Sequence, residues 1–337
     1  MDTNDLRIRI SSFWLPVFAA ALLAGVVIIG FAQDSQWHDR SPHRVLSVQV
    51  APDVNLEVLD WGGTGRAVVL LAGLGNTAHI FDDFAPKLAQ TYHVYGITRR
   101  GYGASSISRS GYTSDRLAED VLATIDSLKI QSPIVVGHSI AGEEMTILGT
   151  RYPTRIAGLV YLEAAYDRTT MSFARWNALA TKALPPPPGQ EDLKSYLALR
   201  AWYARTMGID PAEADLRANS VPSPLSPVGV PRTPRDVSGA IVAGVRKPDY
   251  GAIRVPALAI YALPRTEKDV PGFGTAPIST IREVFQLTRE QVHVNSSAFR
   301  AGVRNARIIE IPGAKHYVFL SNEAEVLGDI RAFSASM

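Results

Sequence analysis

The sequence predicts an α/β fold: a mostly parallel, eight-stranded sheet flanked by helices, with a helical cap inserted after the sixth strand. Three observations predict it. Between residues 67 and 163, short apolar runs alternate with helix-length stretches, a rhythm that demands a parallel sheet covered on both faces. Runs such as 67–71 and 134–136 are continuously apolar, as expected of strands buried on both faces. The rhythm stops after Ala165 and resumes at Ala257.

The elements follow in order. Residues 45–50 and 55–61 alternate well enough for two strands joined by a turn at Pro52-Asp53. Strand 67–71 leads into Ala72-Gly73-Leu74-Gly75. Phe81, Phe84 and Leu88 give 80–90 one helical apolar face. Strand 93–97 runs into a glycine-punctuated loop, 99–105. Ser114 is the expected cap of a helix through 128, with Asp115 in its first turn. Strand 134–136, helix 142–152 and strand 156–163 complete the first part. From 167 to 250 no strand pattern is visible. Helix-like pieces at 170–181, 191–207 and 211–218 are interrupted by Pro185-Pro186-Pro187-Pro188 and followed by a proline-rich run, 221–234. Strand 257–263, helix 278–295, strand 306–311 and helix 322–336 close the chain. The expected organisation is a signal peptide or transmembrane anchor at 1–32, a core at 33–165 and 251–337, and a cap at 166–250.

Composition narrows the class. The 337 residues are 46% hydrophobic and 20% charged, with a net charge of +2 and no Cys. That is globular, and it lacks the basic cluster a nucleic-acid partner would need. The missing cysteines exclude thiol nucleophiles, disulfides and Cys-based metal sites. No His/Asp/Glu spacing indicates a metal, and no cofactor is expected. Arg7 and Arg9 precede an uncharged run, 13–31. At about 1.5 Å per residue its 19 residues reach roughly 28 Å, near a bilayer's thickness. The small residues Gly30 and Ala32 also suit signal cleavage. Either reading puts the rest of the chain outside the cytoplasm, membrane-anchored or exported. Oligomeric state is not legible.

The chemistry centres on Gly137-His138-Ser139-Ile140-Ala141-Gly142, where strand 134–136 turns sharply into a helix. A Ser at the tip of such a turn presents its Oγ, and the next N–H, Ile140's, faces a developing oxyanion. Gly73-Leu74-Gly75 can present Leu74's N–H as a second donor. Its lack of a Gly-Lys-Ser/Thr ending argues against a phosphate loop. A Ser nucleophile needs a base and an orienting acid. Of seven His, His316 lies in a loop after the last strand, at the sheet edge where ligands of such folds bind. His138 adjoins the Ser and should point away; His79, His93 and His293 sit beside or on other elements, and His38 and His43 in a linker.

These stretches together resemble the α/β-hydrolase superfamily. The resemblance runs from about residue 45 to the end, through Ala72-Gly73-Leu74-Gly75, Arg100-Gly101-Tyr102-Gly103-Ala104-Ser105, Gly137-His138-Ser139 and Gly313-Ala314-Lys315-His316. It implies a Ser139–His316 pair and an acid usually found after the seventh strand. Here that strand ends in Leu263-Pro264-Arg265, and no carboxylate comes before Glu267 and Asp269. Glu163 ends the apolar sixth strand, where a carboxylate is destabilising unless it has a partner, and it is the favoured acid, because some members, certain haloalkane dehalogenases among them, carry theirs there. Asp269 is the alternative. Ser139 points to acyl transfer rather than attack on sp³ carbon, so the expectation is a serine hydrolase of a small-molecule ester or similar acyl substrate. Transfer to another acceptor and a non-catalytic binding role are the rival readings. Trp176, Trp202, Tyr203 and Met207 of the cap, with Phe319, are candidates for lining the pocket; Arg168, Arg200 and Arg205 are read as solvated surface in preference to partners for an acidic group. Glu143 and Glu144, in the first turn of the helix after Ser139, are assigned no chemistry.

Overall fold

The computed structural model describes residues 37–337, and the account below concerns its compact unit, Arg40–Met337. The expected anchor or signal at 1–32 lies outside the described residues. Among those residues no helix is long and apolar enough to cross a membrane.

The main sheet has eight strands. They are β1 (Arg44–Ala51), β2 (Val54–Gly62), β3 (Ala67–Leu71), β4 (His93–Ile97), β5 (Ile134–His138), β6 (Gly158–Leu162), and, after residues 166–250, β9 (Ala257–Leu263) and β10 (Ala306–Pro312). Their spatial order is β1-β2-β4-β3-β5-β6-β9-β10. The β1–β2 and β2–β4 pairs are antiparallel, and every other pair is parallel. Alternate residues of the central strands feed two cores. Val69, Val135, Leu159 and Tyr161 pack under α2 (Ser114–Ser127), α3 (Gly142–Arg151) and α8 (Ile278–Gly302). Val68, Val136, Val160 and Ile260 pack on the other face against Phe81, Phe84 and α10 (Glu323–Ala335). Residues of both sets are fully buried, which is why these runs show no polar alternation.

Several boundaries differ from the sequence reading, two of them in the helices that flank the first strands. The helix expected at 80–90 is a 3-10 turn, Ala78–Phe81, followed by the short α1 (Ala85–Leu88). Pro86 sits in its first turn, where a missing N–H costs nothing. The N-cap of α2 is Thr113, which accepts from Arg116 N; Ser114 is the first helical residue and donates to Gly244 O at 2.9 Å.

Residues 166–250 carry α4 (Met171–Ala183), α5 (Tyr196–Met207), α6 (Glu213–Ala218) and α7 (Arg235–Ala243). The absence of strands expected there is corrected. A hairpin, β7 (Ser220–Ser223) with β8 (Ser226–Pro231), occupies the proline-rich run. A two-stranded ribbon has only edge strands, so Pro222 and Pro227 fit without breaking an inner ladder. A four-residue helix, α9 (Val318–Ser321), follows the loop that carries His316.

Candidate active site

The carboxyl ends of β3, β5, β6 and β10 converge on one place. Ser139 follows β5 directly and has φ +55°, a left-handed conformation that only a tightly determined turn imposes on a non-glycine residue. Small neighbours allow the turn. A Cβ on Gly137 would lie 2.3 Å from Met145 Sδ. One on Gly142 would lie 2.0 Å from the carbonyl oxygen of Ala164. Gly142 is thus required by the neighbouring strand's exit loop, and the small Ala141 before it is fully buried.

Glu163 repeats the geometry one strand over. It follows β6 with φ +52°. Its Oε1 accepts from Ala262 N of β9 at 2.7 Å and from Tyr166 Oη at 2.9 Å. Its Oε2 lies 3.1 Å from His316 Nδ1, and His316 Nε2 lies 3.0 Å from Ser139 Oγ. With Nδ1–H donating to the carboxylate, Nε2 is left to accept from the serine hydroxyl. Burial, then the adjacent Glu163 charge, pushes the Tyr166 phenol well above its usual range, so it remains a donor. The structure therefore brings Ser139, His316 and Glu163 together. Asp269 is turned elsewhere: its carboxylate accepts from Arg265 N and Thr266 N at 2.8 and 3.0 Å, closing its own turn, and Lys315 lies 3.8 Å from it.

Leu74 sits in the loop after β3, the strand on the other side of β5. Arg99 holds that loop's backbone, donating to Ala72 O at 3.0 Å and Gly73 O at 3.4 Å while Glu144 takes its Nε at 2.7 Å. Arg168 braces the serine turn. Its Nη2 donates to Ser139 O at 2.8 Å, and its Nη1 to Glu143 Oε1 at 3.1 Å. Neither Arg stands in a recognisable motif. Their signal in the sequence is a cation next to a buried strand end, which pairs with the two glutamates of α3. Solvated surface is thereby corrected for Arg168, whose side chain is 10% exposed. His138 points away from Ser139 Oγ as expected: its Nε2 lies 3.1 Å from His316 O. Burial, then the neighbouring His316, holds its pKa well below the usual value, so it stays neutral.

The structure separates the pocket candidates. A cavity of about 420 Å³ lies between the Leu74–Asn76 loop, Tyr317 and residues from 188 to 231, and Tyr203 lines it. Trp176, Trp202 and Phe319 do not. Trp176 Nε1 donates to Thr288 Oγ1 at 2.9 Å, pinning α4 to α8. Trp202 meets Tyr203 edge-on at 5.0 Å. Phe319 is fully buried between Phe81 and Phe84. Aromatic size alone does not separate a pocket wall from a packing element. Away from these residues, the fold also gathers His43, His79 and Asp82, with ligand-type atoms within 4.8 Å of one another, a cluster that sequence spacing does not reveal. Asp82 pairs with both imidazoles, at 3.2 and 2.8 Å.

Comparison with known proteins agrees with this architecture. A profile described as the alpha/beta hydrolase fold matches residues 66–246. The 2-(acetamidomethylene)succinate hydrolase of Mesorhizobium japonicum is 24% identical over 258 residues, covering 76% of this chain and 83% of that protein. A proposed non-heme haloperoxidase of Mycobacterium phage D29 is 32% identical over 104 residues, 31% of this chain, and the match spans only 37% of the phage protein. Among solved structures, an E-2-(acetamidomethylene)succinate hydrolase superposes with a TM-score of 0.63 at 19% identity, over 87% of this chain and 99% of that one.

Proposed function

The chain belongs to the alpha/beta hydrolase fold family, and from that premise we propose that it is a serine hydrolase cleaving a carboxylic ester or similar acyl bond. The observation that carries this reading is the Ser139–His316–Glu163 relay, with its 3.0 and 3.1 Å contacts. Ser139 Oγ attacks the acyl carbon as its proton passes to His316 Nε2. The tetrahedral oxyanion accepts from the N–H groups of Leu74 and Ile140. His316 then protonates the leaving group, and the acyl-enzyme forms. Water, deprotonated by the same imidazole, attacks the acyl carbon; the acyl C–Oγ bond breaks, His316 returns its proton to Ser139 Oγ, and the acid leaves. Glu163 accepts from His316 Nδ1 and balances the imidazolium charge. Hydrolase names among the relatives, one of them for a succinate derivative, support the reaction class and leave the substrate open.

The test is turnover of p-nitrophenyl butyrate by the full chain beside Ser139→Ala. We expect hydrolysis by the parent, a loss of at least a thousandfold in the variant, and fluorophosphonate labelling of Ser139. Absence of both turnover and labelling removes the proposal. We also read residues 1–32 as an anchor or cleaved signal; the mass of the protein recovered from its host distinguishes the two, and full-length protein found only in the cytosol contradicts both.

A further inference from the structure

The cavity that reaches Leu74, the proposed oxyanion donor, and Tyr317, next to His316, has a charge character that restricts what can fill it, although Ser139, His316 and Glu163 do not themselves line it. Its about 420 Å³ suit a small organic group. Among the described residues the walls include Leu74, Leu199, Tyr203 and Tyr317, and no Lys, Arg or His contributes to them. The one ionisable carboxyl is Asp215 of α6, itself 2% exposed. Neutral groups hold it: Thr77 N and Oγ1 donate to Oδ1 at 2.7 Å each, Asn76 Nδ2 donates to Oδ2 at 2.8 Å, and Asn219 Nδ2 reaches Oδ1 at 3.3 Å. The cations that could have received an acidic substrate are engaged elsewhere. Arg168 serves Ser139 O and Glu143, Arg200 is forked onto Asp210 at 2.8 Å, Arg205 is on Asp192 at 2.8 Å, and Lys315 donates to Asp269 O at 3.1 Å.

We infer that the part of the substrate filling this cavity is uncharged and largely apolar, and that Asp215 excludes substrates carrying a carboxylate there. The inference rests on the hydrolase reading and gives it a substrate class. Two costs fall on an anion in this place. It loses water without gaining a cation, and it meets a like charge across a poorly screened distance. An alkyl group meets neither cost and gains the burial of its own surface.

Two matched ester pairs test this at pH 8 on the full chain. p-Nitrophenyl hexanoate against mono-p-nitrophenyl adipate places the charge on the acyl side; hexyl acetate against acetoxyhexanoate places it on the alcohol side. We expect kcat/KM to favour the neutral member by at least about tenfold in one or both pairs. Asp215→Asn should reduce that ratio about tenfold. The ratio is the readout, because damage to the neighbouring loop lowers both members together. Leu199→Lys, outside the Asp215 hydrogen-bond network, supplies the missing cation and should likewise shift the ratio toward the anion. Equal or better turnover of the anionic member in both pairs, with Ser139 labelled by a fluorophosphonate, overturns the inference and leaves the hydrolase reading standing. An unchanged ratio in both variants also overturns it. No labelling and no turnover of any ester overturn both.

Discussion

At the scale of single residues, the two carboxylates that compete in the sequence part company through their acceptor geometry. Glu163 offers one oxygen to His316 and has the other fixed by Ala262 N and Tyr166 Oη. Asp269 spends its carboxylate on two backbone N–H groups of its own turn. Glu163→Gln keeps the shape but loses the charge that stabilises the imidazolium, so kcat should fall by about 10²–10⁴. Asp269→Asn should leave kcat within a few-fold. Steady-state kinetics on p-nitrophenyl butyrate decide it, and the reverse pattern would make Asp269 the acid. Glu163 was legible because a carboxylate ending an apolar strand is costly unless it has a partner. Tyr166 and Arg168 were not, because their partners are a side chain and carbonyl oxygens fixed by tertiary contact, and no sequence spacing encodes those.

Elements depend on how closely two backbones approach. The start of α3 lies against the exit loop of β6, and Gly142 is the point of contact. With a Cβ only 2.0 Å from Ala164 O, Gly142→Ala must separate the serine turn from the Glu163 loop. We expect a loss of about 3 kcal/mol or more by urea denaturation, and a kcat that falls in the fraction still folded. An unperturbed Gly142→Ala would mean that the loop yields. Arg168 joins the same two elements electrostatically. Its pair with Glu143 has both side chains at or below 10% exposure. Arg168→Met strands a buried carboxylate and should cost about 3 kcal/mol, while Arg168→Met with Glu143→Leu should recover part of it. The strands and their order follow from apolar runs, and these are plain in the chain. The hairpin β7–β8 was hidden because proline, a reliable breaker of inner strands, is tolerated in a ribbon that is all edge.

For the molecule as a whole, buried titrating groups pull stability in opposite directions with pH. His138 is held neutral, well below its usual pKa. The unfolded chain therefore binds a proton that the folded chain refuses, and stability is lost as pH falls below about 6.5. Asp215 acts the other way. Burial, opposed by the hydrogen bonds from Thr77 and Asn76, raises its pKa from 3.8 to about 6. Between these values the folded state binds more protons than the unfolded one, so this residue's contribution rises as pH falls through 6 toward 4. Over the step from pH 7.5 to pH 5 it should add about 1 kcal/mol, one pH unit of titration below a folded pKa near 6. Absolute stability mixes this with His138 and with Glu143 and Glu144, whose pKa values burial also raises. The comparison with Asp215→Asn cancels those shared groups. The variant's cost relative to the parent should grow by about 1 kcal/mol between pH 7.5 and pH 5, read from urea midpoints at constant ionic strength. A difference that stays flat, or shrinks, would mean that Asp215 is ionised throughout that range. The loop carrying Leu74 would then be tied to the cap by a carboxylate with an ordinary pKa.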